Sequence, residues 1–340
     1  MARNGCVLVV GSVNRDVTVS TERFPAPGET VLGGPVVTGL GGKGANQAVA
    51  AVRAGATGRF LATVGDDSDG RELLRSLAAA DVDTTLVEHV AQAPTGTALI
   101  TVDAAGENQI VVVAGANTAT GAARVRAASE AVRAADVVVA QGEIPVAAIE
   151  EIAAAGPRLF VLNLAPYVKV SLEVLTRVDV LVVNATEAGQ ILGSTTPSGA
   201  DEALEAVRAL AGIARNAVVT LGGDGAVLAG PAARGRTGAR HIPVPCAVPV
   251  VDATGAGDAF VGVLAARLAA GDALDEAAAS AVQAATATVR VRGAAPAYPD
   301  FAALLGTRTK TGAGRPGSDR PGPPRRAPRG AEAAGRGKRS

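Results

Sequence analysis

Short apolar runs recur along the chain, unbroken at residues 7–10, 137–140, 159–162 and 180–183 and interrupted only by Thr220 at 217–221. A strand covered on both faces reads this way, because neither side has to alternate with water. Helical stretches fall between them, at 70–80, 122–135, 146–155, 186–192 and 202–211. Strand–helix alternation at this spacing predicts an α/β fold with a doubly wound, mostly parallel sheet flanked by helices. Two regions break the pattern. Residues 16–20 and 30–37, and then 97–102 and 108–113 around the turn 103–107, read as paired strands with no helix to cover them. They predict a small β-sheet lid, about 14–40 and 95–113, packed over a site.

Composition adds three constraints. In 340 residues, 48% are hydrophobic, yet there are five Phe, two Tyr and no Trp, so Ala, Val and Leu must fill the core. The apolar runs are too short to span a bilayer, and the first ten residues lack a signal-peptide plan. Cys6 and Cys246 form neither a disulfide framework nor a metal-ligand spacing. The expectation is a soluble, cytoplasmic protein that does not engage a membrane.

The formal net charge of zero conceals an asymmetry. Residues 306–340 hold ten Lys/Arg against two Asp/Glu, which leaves the preceding residues with an excess of eight acidic groups. That segment has no aliphatic side chain larger than Ala and is expected to be a disordered, basic Pro/Gly/Arg-rich tail. It also lacks aromatic side chains for base stacking, so it reads as an extension rather than a nucleic-acid contact. The folded domain is therefore assigned to residues 1–305.

The most informative segment is Val251-Asp252-Ala253-Thr254-Gly255-Ala256-Gly257-Asp258-Ala259-Phe260, which opens a helix. Small residues at Gly255, Ala256 and Gly257 let the first turn present bare N–H groups, where the helix dipole favours an anion. Asp258 sits beside that anion and is placed to take a proton from an attacking hydroxyl, the arrangement that phosphoryl transfer to an alcohol requires. As a helix cap, Asp252 would serve equally well, which leaves Asp258 to be explained by chemistry.

The second segment is Gly39-Leu40-Gly41-Gly42-Lys43-Gly44-Ala45-Asn46-Gln47-Ala48. It matches GxGxxG formally, but it follows a lid strand rather than the first core strand, and Lys43 is followed by Gly44 rather than Ser or Thr. It reads instead as a polyol-binding surface, with glycines allowing close approach and Lys43 and Asn46 supplying donors. Asn14 and Asp16 after the first strand, and Glu143 after the strand at 137–140, add acceptors at the carboxyl edge of the sheet. Asn184-Ala185-Thr186-Glu187 is either a capped helix start or a place where Glu187 orders water around Mg²⁺. Thr220-Leu221-Gly222-Gly223-Asp224-Gly225 is either a plain hairpin or a nucleotide-contacting loop. His89 and His241 have no companions in sequence and read as surface residues.

Together with Gly11-Ser12-Val13-Asn14-Arg15-Asp16 and Phe24-Pro25-Ala26-Pro27-Gly28-Glu29-Thr30, these segments resemble the ribokinase/PfkB family of carbohydrate kinases, from about residue 7 to 296. The resemblance implies an enzyme, an ATP:sugar phosphotransferase that converts D-ribose to D-ribose 5-phosphate and ADP, working as a homodimer joined through lid strands. It implies that Asp258 is the base, that Gly255, Ala256 and Gly257 form the anion hole, and that Asn14, Asp16, Gly42, Lys43, Asn46 and Glu143 hold the sugar. Asn184, the loop from Thr220 to Gly225 and Gly257 would contact ATP, with Glu187 reaching Mg²⁺ through water. An activating K⁺ would be held by Asp252, Thr254, Thr288, Val291, Gly293 and the position of Ala297. The family often carries Ser at that last position, so one side-chain oxygen is missing. It commonly carries Pro at the position of Leu164, a departure with no expected functional consequence. The competing readings are the same chemistry on 2-deoxyribose, fructose or a nucleoside, and a non-catalytic sugar-binding regulator.

Overall fold

The computed structural model describes residues 5–230 and 238–306, so all but the first residue of the expected tail lies outside the described residues. The chain opens with β1 (Cys6–Val10), β2 (Asn14–Ser20) and β3 (Val36–Gly41), then α1 (Lys43–Arg53), β4 (Thr57–Gly65), α2 (Ser68–Ala79) and β5 (Asp83–Val90). It continues through β6 (Gly96–Val102), β7 (Asn108–Val113), α3 (Ala122–Ala127), α4 (Ser129–Ala134), β8 (Val137–Gln141), α5 (Val146–Ala155) and β9 (Phe160–Asn163). Next come α6 (Leu172–Arg177), β10 (Val180–Asn184), α7 (Ala185–Leu192), α8 (Gly199–Ala211) and β11 (Ala217–Thr220). The described elements end with β12 (Ala226–Ala229), β13 (Arg240–Ile242), α9 (Ala256–Ala269), α10 (Leu274–Thr288) and α11 (Phe301–Leu305).

Nine strands form the main sheet in the order β13-β12-β11-β10-β9-β8-β1-β4-β5. Neighbours from β5 to β11 run parallel, and β12 and β13 close one edge antiparallel. Alternate residues of β1 explain its unbroken apolar run. Val7 and Val9 pack with α1, α9 and α10 on one face, while Leu8 and Val10 pack with α5 and α8 on the other. Both faces are dry, so no position is left for a polar side chain.

The topology also fixes where a ligand can enter. Beyond β1 the chain builds outward to β4, whereas beyond β8 it builds the other way to β9. The carboxyl ends of the adjacent strands β1 and β8 therefore open a crevice, the place where open α/β sheets bind ligands.

Four strands form the lid in the order β3-β2-β6-β7. The two expected hairpins are present, and a parallel β2–β6 contact joins them. The strand expected at 30–37 begins instead at Val36. Pro35 has no N–H to give to a ladder, and the Gly34 N–H closes the preceding loop on the Ser20 carbonyl at 2.8 Å. The helix expected at 122–135 is two short helices that meet at Ala128 and Ser129. Among the described residues no helix is long and apolar enough to cross a membrane.

Candidate active site

Asp258 lies in the first turn of α9, 7% exposed, with a defined set of partners. Asn46 Nδ2 donates to its Oδ2 and Gln47 Nε2 donates to its Oδ1, each at 3.0 Å. Consecutive residues of α1 thus grip both oxygens of a carboxylate more than 200 residues away. The sequence marked Asn46 and Asp258 but not this contact, and it gave Gln47 no role. Asn46 Oδ1 is buried without an intramolecular partner. A buried acceptor left in this way is costly unless a ligand hydroxyl completes it.

The helix that carries Asp258 starts without a side-chain cap. Its N-cap is Gly255 at φ +76, and a Cβ there would fall 2.6 Å from the Tyr298 hydroxyl and 2.8 Å from the Ala294 Cβ. Asp252, which the sequence offered as a cap, is used elsewhere. Its Oδ1 accepts from the Thr254 N–H at 2.8 Å and its Oδ2 from the Gly293 N–H at 2.9 Å. Ala256 donates its N–H to the Ala253 carbonyl at 3.2 Å. That leaves the N–H groups of Gly257 and Asp258 as the open end of the turn. Tyr298, another residue the sequence did not single out, is buried and donates to the Gly255 carbonyl at 2.6 Å. Burial raises its phenol well above the ordinary value, with the nearby Asp258 charge adding to the effect, so it remains a donor.

The glycine-rich entry to α1 brings the remaining polar groups together. Gly42 has φ +89, and a Cβ there would stand 2.8 Å from the Val13 Cα, so any side chain would push β2 off the helix. Glu143, just beyond β8, accepts from the Ser12 hydroxyl at 2.5 Å and from the Lys43 N–H at 3.1 Å. The Lys43 ammonium is held protonated above its usual range, chiefly by Asp258, with Glu143 and Glu187 contributing and burial opposing. Asp16 is pushed up to about 7 by burial first, and then by the charges of Glu143 and Asp258. Asn14 is 3% exposed, and its Oδ1 accepts from Asn117 Nδ2 at 2.8 Å. Asn117 also bonds both backbone groups of Val13. Asn14, Asp16, Lys43, Asn46, Glu143 and Asp258 thus share one electrostatic and hydrogen-bonded neighbourhood above β1 and β8.

Asn184 and Thr220 are register partners at the carboxyl ends of β10 and β11. Asn184 caps α7 in a reciprocal box. Its Oδ1 accepts from the Glu187 N–H and Glu187 Oε2 accepts from the Asn184 N–H, both at 2.8 Å. Both sequence readings of this segment therefore remain compatible, because Glu187 uses one oxygen for the cap and keeps another. Burial raises the Glu187 carboxyl, opposed by the Asn184 N–H bond and by Lys43. The loop from Thr220 to Gly225 is a tight turn between antiparallel strands, with Gly222, Gly223 and Asp224 exposed. His89 and His241 are both exposed, and His241 Nε2 lies 2.6 Å from the Asp224 carbonyl.

The proposed cation ligands occupy two loops that are tied together. The N–H groups of Val251 and Asp252 both reach the Val289 carbonyl, at 2.7 and 3.2 Å, and the Thr288 carbonyl accepts from Val291 at 3.1 Å. The donors available there are a carboxylate and backbone carbonyls, hard oxygens suited to an alkali cation. Ala297 contributes no side-chain oxygen. Among the described residues no three His, Cys, Asp or Glu side chains converge on a metal position. A divalent ion here would depend on water and on a ligand's own phosphates. A separate cavity of about 370 Å³ lies beside β2, lined by Arg15, Leu40, Arg53, Glu72 and Pro296 among others, and none of the candidate residues lines it.

An uncapped helix N-terminus beside a clamped carboxylate, at the carboxyl edge of a doubly wound sheet with a lid, suits an anion next to a hydroxyl, as phosphoryl transfer to an alcohol requires. The pattern of the pfkB family carbohydrate kinases matches residues 5–300, and the chain belongs to that family. It is 34% identical over 296 residues to the ribokinase of Haemophilus influenzae, covering 86% of this chain and 94% of that one. It is 36% identical over 301 residues to the ribokinase of Bacillus subtilis, covering 87% and 96%. The structure of Arabidopsis thaliana ribokinase complexed with ribose and ATP superimposes with a TM-score of 0.78 at 30% identity, over 90% of this chain and 98% of that one.

Proposed function

We propose that this chain phosphorylates D-ribose at its 5-hydroxyl with ATP, giving D-ribose 5-phosphate and ADP. The observation that carries the reading is the Asp258 carboxylate, fixed by two amides in an uncapped first turn and facing the groups gathered by β2, α1 and β8. Asn14, Asp16, Gly42, Lys43, Asn46 and Glu143 bind the sugar hydroxyls. The free acceptor of Asn46 and the raised Asp16 carboxyl are both groups that a polyol would satisfy. Asp258 takes the proton of the 5-hydroxyl as that oxygen forms a bond to the γ-phosphorus. The bond from phosphorus to the β,γ-bridging oxygen breaks, and ADP leaves with its electron pair. The N–H groups of Gly255 and Gly257 meet the negative charge that migrates with the phosphoryl group, joined by that of Ala256 once it leaves its 3.2 Å bond to the Ala253 carbonyl.

Asn184, the turn from Thr220 to Gly225 and Gly257 hold the nucleotide, and Glu187 orients water toward the metal. Mg²⁺, when bound with ATP, neutralises phosphate charge during transfer. K⁺, held by Asp252 and the carbonyls of Thr254, Thr288, Val291, Gly293 and Ala297, would steady the loop that leads into α9. Two copies pair through their lids, where Val36, Val37, Ile110 and Val111 are exposed on an open sheet. The compartment proposed for it is the cytoplasm, where ATP is at hand.

Replacing Asp258 by Asn tests the assignment. Removal of a general base lowers turnover by about 10²–10⁴-fold, while calorimetry should find ribose still bound. Turnover within a few-fold of the parent would remove Asp258 from the chemistry.

A further inference from the structure

Gln47 is fully buried, so it cannot touch a sugar in the crevice, yet it is polar and makes three hydrogen bonds. Its Nε2 donates to Asp258 Oδ1 at 3.0 Å and to Asn163 Oδ1 at 2.9 Å, and its Oε1 accepts from Gln141 Nε2 at 2.7 Å. Asn163 Nδ2 in turn donates to the Val182 carbonyl at 3.1 Å. Gln141 and Asn163 are buried as well.

The ends of this chain determine its sense. A backbone carbonyl accepts and never donates, so Asn163 must turn its N–H to Val182 and its oxygen to Gln47. An ionised carboxylate likewise accepts only, so Gln47 must present N–H to Asp258. Its oxygen then has to face Gln141, which supplies an N–H. With Asp258 ionised, one arrangement of the three amides satisfies all of these contacts. They come from the ends of β8 and β9 and from α1, three elements whose relative positions the main sheet and its packing fix.

We infer that Gln47 is a positioning residue for phosphoryl transfer, set by Gln141 and Asn163, that holds the Asp258 carboxylate in one rotamer. This rests on the reading of Asp258 as the base. Asn46 supports the other oxygen from a position that the sugar can also reach, so the two neighbours differ in function. Loss of Gln47 should disturb turnover alone, whereas loss of Asn46 should disturb sugar binding too.

The test is Gln47→Met, which keeps the length and volume of the side chain and removes the donor. The expected result is a kcat about 10- to 100-fold lower, as for an ångström-scale misplacement of a reacting group, with the KM for ribose within twofold. A kcat within twofold of the parent would overturn the inference. Gln47→Glu gives a second, independent readout. Its introduced carboxyl repels Asp258 when ionised and donates to it when protonated, so activity should rise as pH falls from 8 to 6, relative to the parent. A profile parallel to the parent's would also overturn the inference. Asp258→Asn separates the two levels. Full turnover in that variant sinks the base assignment, whereas an inactive Asp258→Asn beside a fully active Gln47→Met sinks the role of Gln47 alone.

Discussion

Alanine at Gly255 and alanine at Gly257 separate folding from chemistry at the start of α9. Gly255 has φ +76, which costs an L-residue about 1–2 kcal/mol. The added Cβ would also fall 2.6 Å from the Tyr298 hydroxyl and 2.8 Å from the Ala294 Cβ. Overpacking of that kind adds about 1–3 kcal/mol, so Gly255→Ala should lose roughly 2–5 kcal/mol of stability. Gly257 is the opposite case. A Cβ there meets nothing within 4 Å, and alanine in a helix is favoured over glycine by roughly 0.5–1 kcal/mol. That open space is where the phosphoryl group is proposed to approach, so the methyl should hold it off by about 1 Å and cost on the order of 10²-fold in kcat. Urea denaturation and ADP release measure the two effects. Gly257→Ala should be as stable as the parent or more so, and poorly active. A fully active Gly257→Ala, or a Gly255→Ala as stable as the parent, would refute the reasoning.

Asp16 gives a pH prediction with a definite sign. Its carboxyl is raised from 3.8 to about 7 in the fold, so the native state holds a proton that the unfolded chain releases above pH 4. Stability from this group is therefore complete below about pH 4 and is lost as pH rises through 7, by up to roughly 4 kcal/mol. Asp16→Asn should thus gain stability over the parent progressively from pH 5 to pH 8 while its KM for ribose rises; equal stability differences at both pH values would contradict this. At the lid, Val111 is 63% exposed on the edge strand β7. Val111→Lys should shift the mass measured by light scattering from dimer to monomer, and a dimer that persists would remove the lid as the interface.

The parts of the fold that were legible in the sequence share one physical cause. β1, β8, β9, β10 and β11 are dry on both faces, so their apolar runs are unbroken and stand out. β4 begins with Thr57-Gly58-Arg59, and β5 is an edge strand with exposed Glu88 and His89, so neither carries that signature. α10 escaped notice because seven of its fifteen residues are alanine, on its buried and its exposed sides alike, which leaves little contrast between them. The site divides in the same way. Asp258, Lys43 and Asn46 lie in glycine-rich segments whose backbone needs are visible locally. Gln47, Gln141, Asn163, Asn117 and Tyr298 are ordinary residues whose importance comes from what the sheet sets beside them. The Gln47–Asp258 bond spans 211 positions, and no local pattern encodes it.

The most direct measurement is ADP release by the full chain with Mg-ATP over D-ribose, 2-deoxyribose, D-fructose and adenosine, with and without K⁺, beside Asp258→Asn as control. The expected result is a preference for ribose, faster with K⁺ and abolished in the control. Turnover confined to another acceptor would contradict the ribose assignment, and equal activity in the control would contradict the chemistry assigned to Asp258.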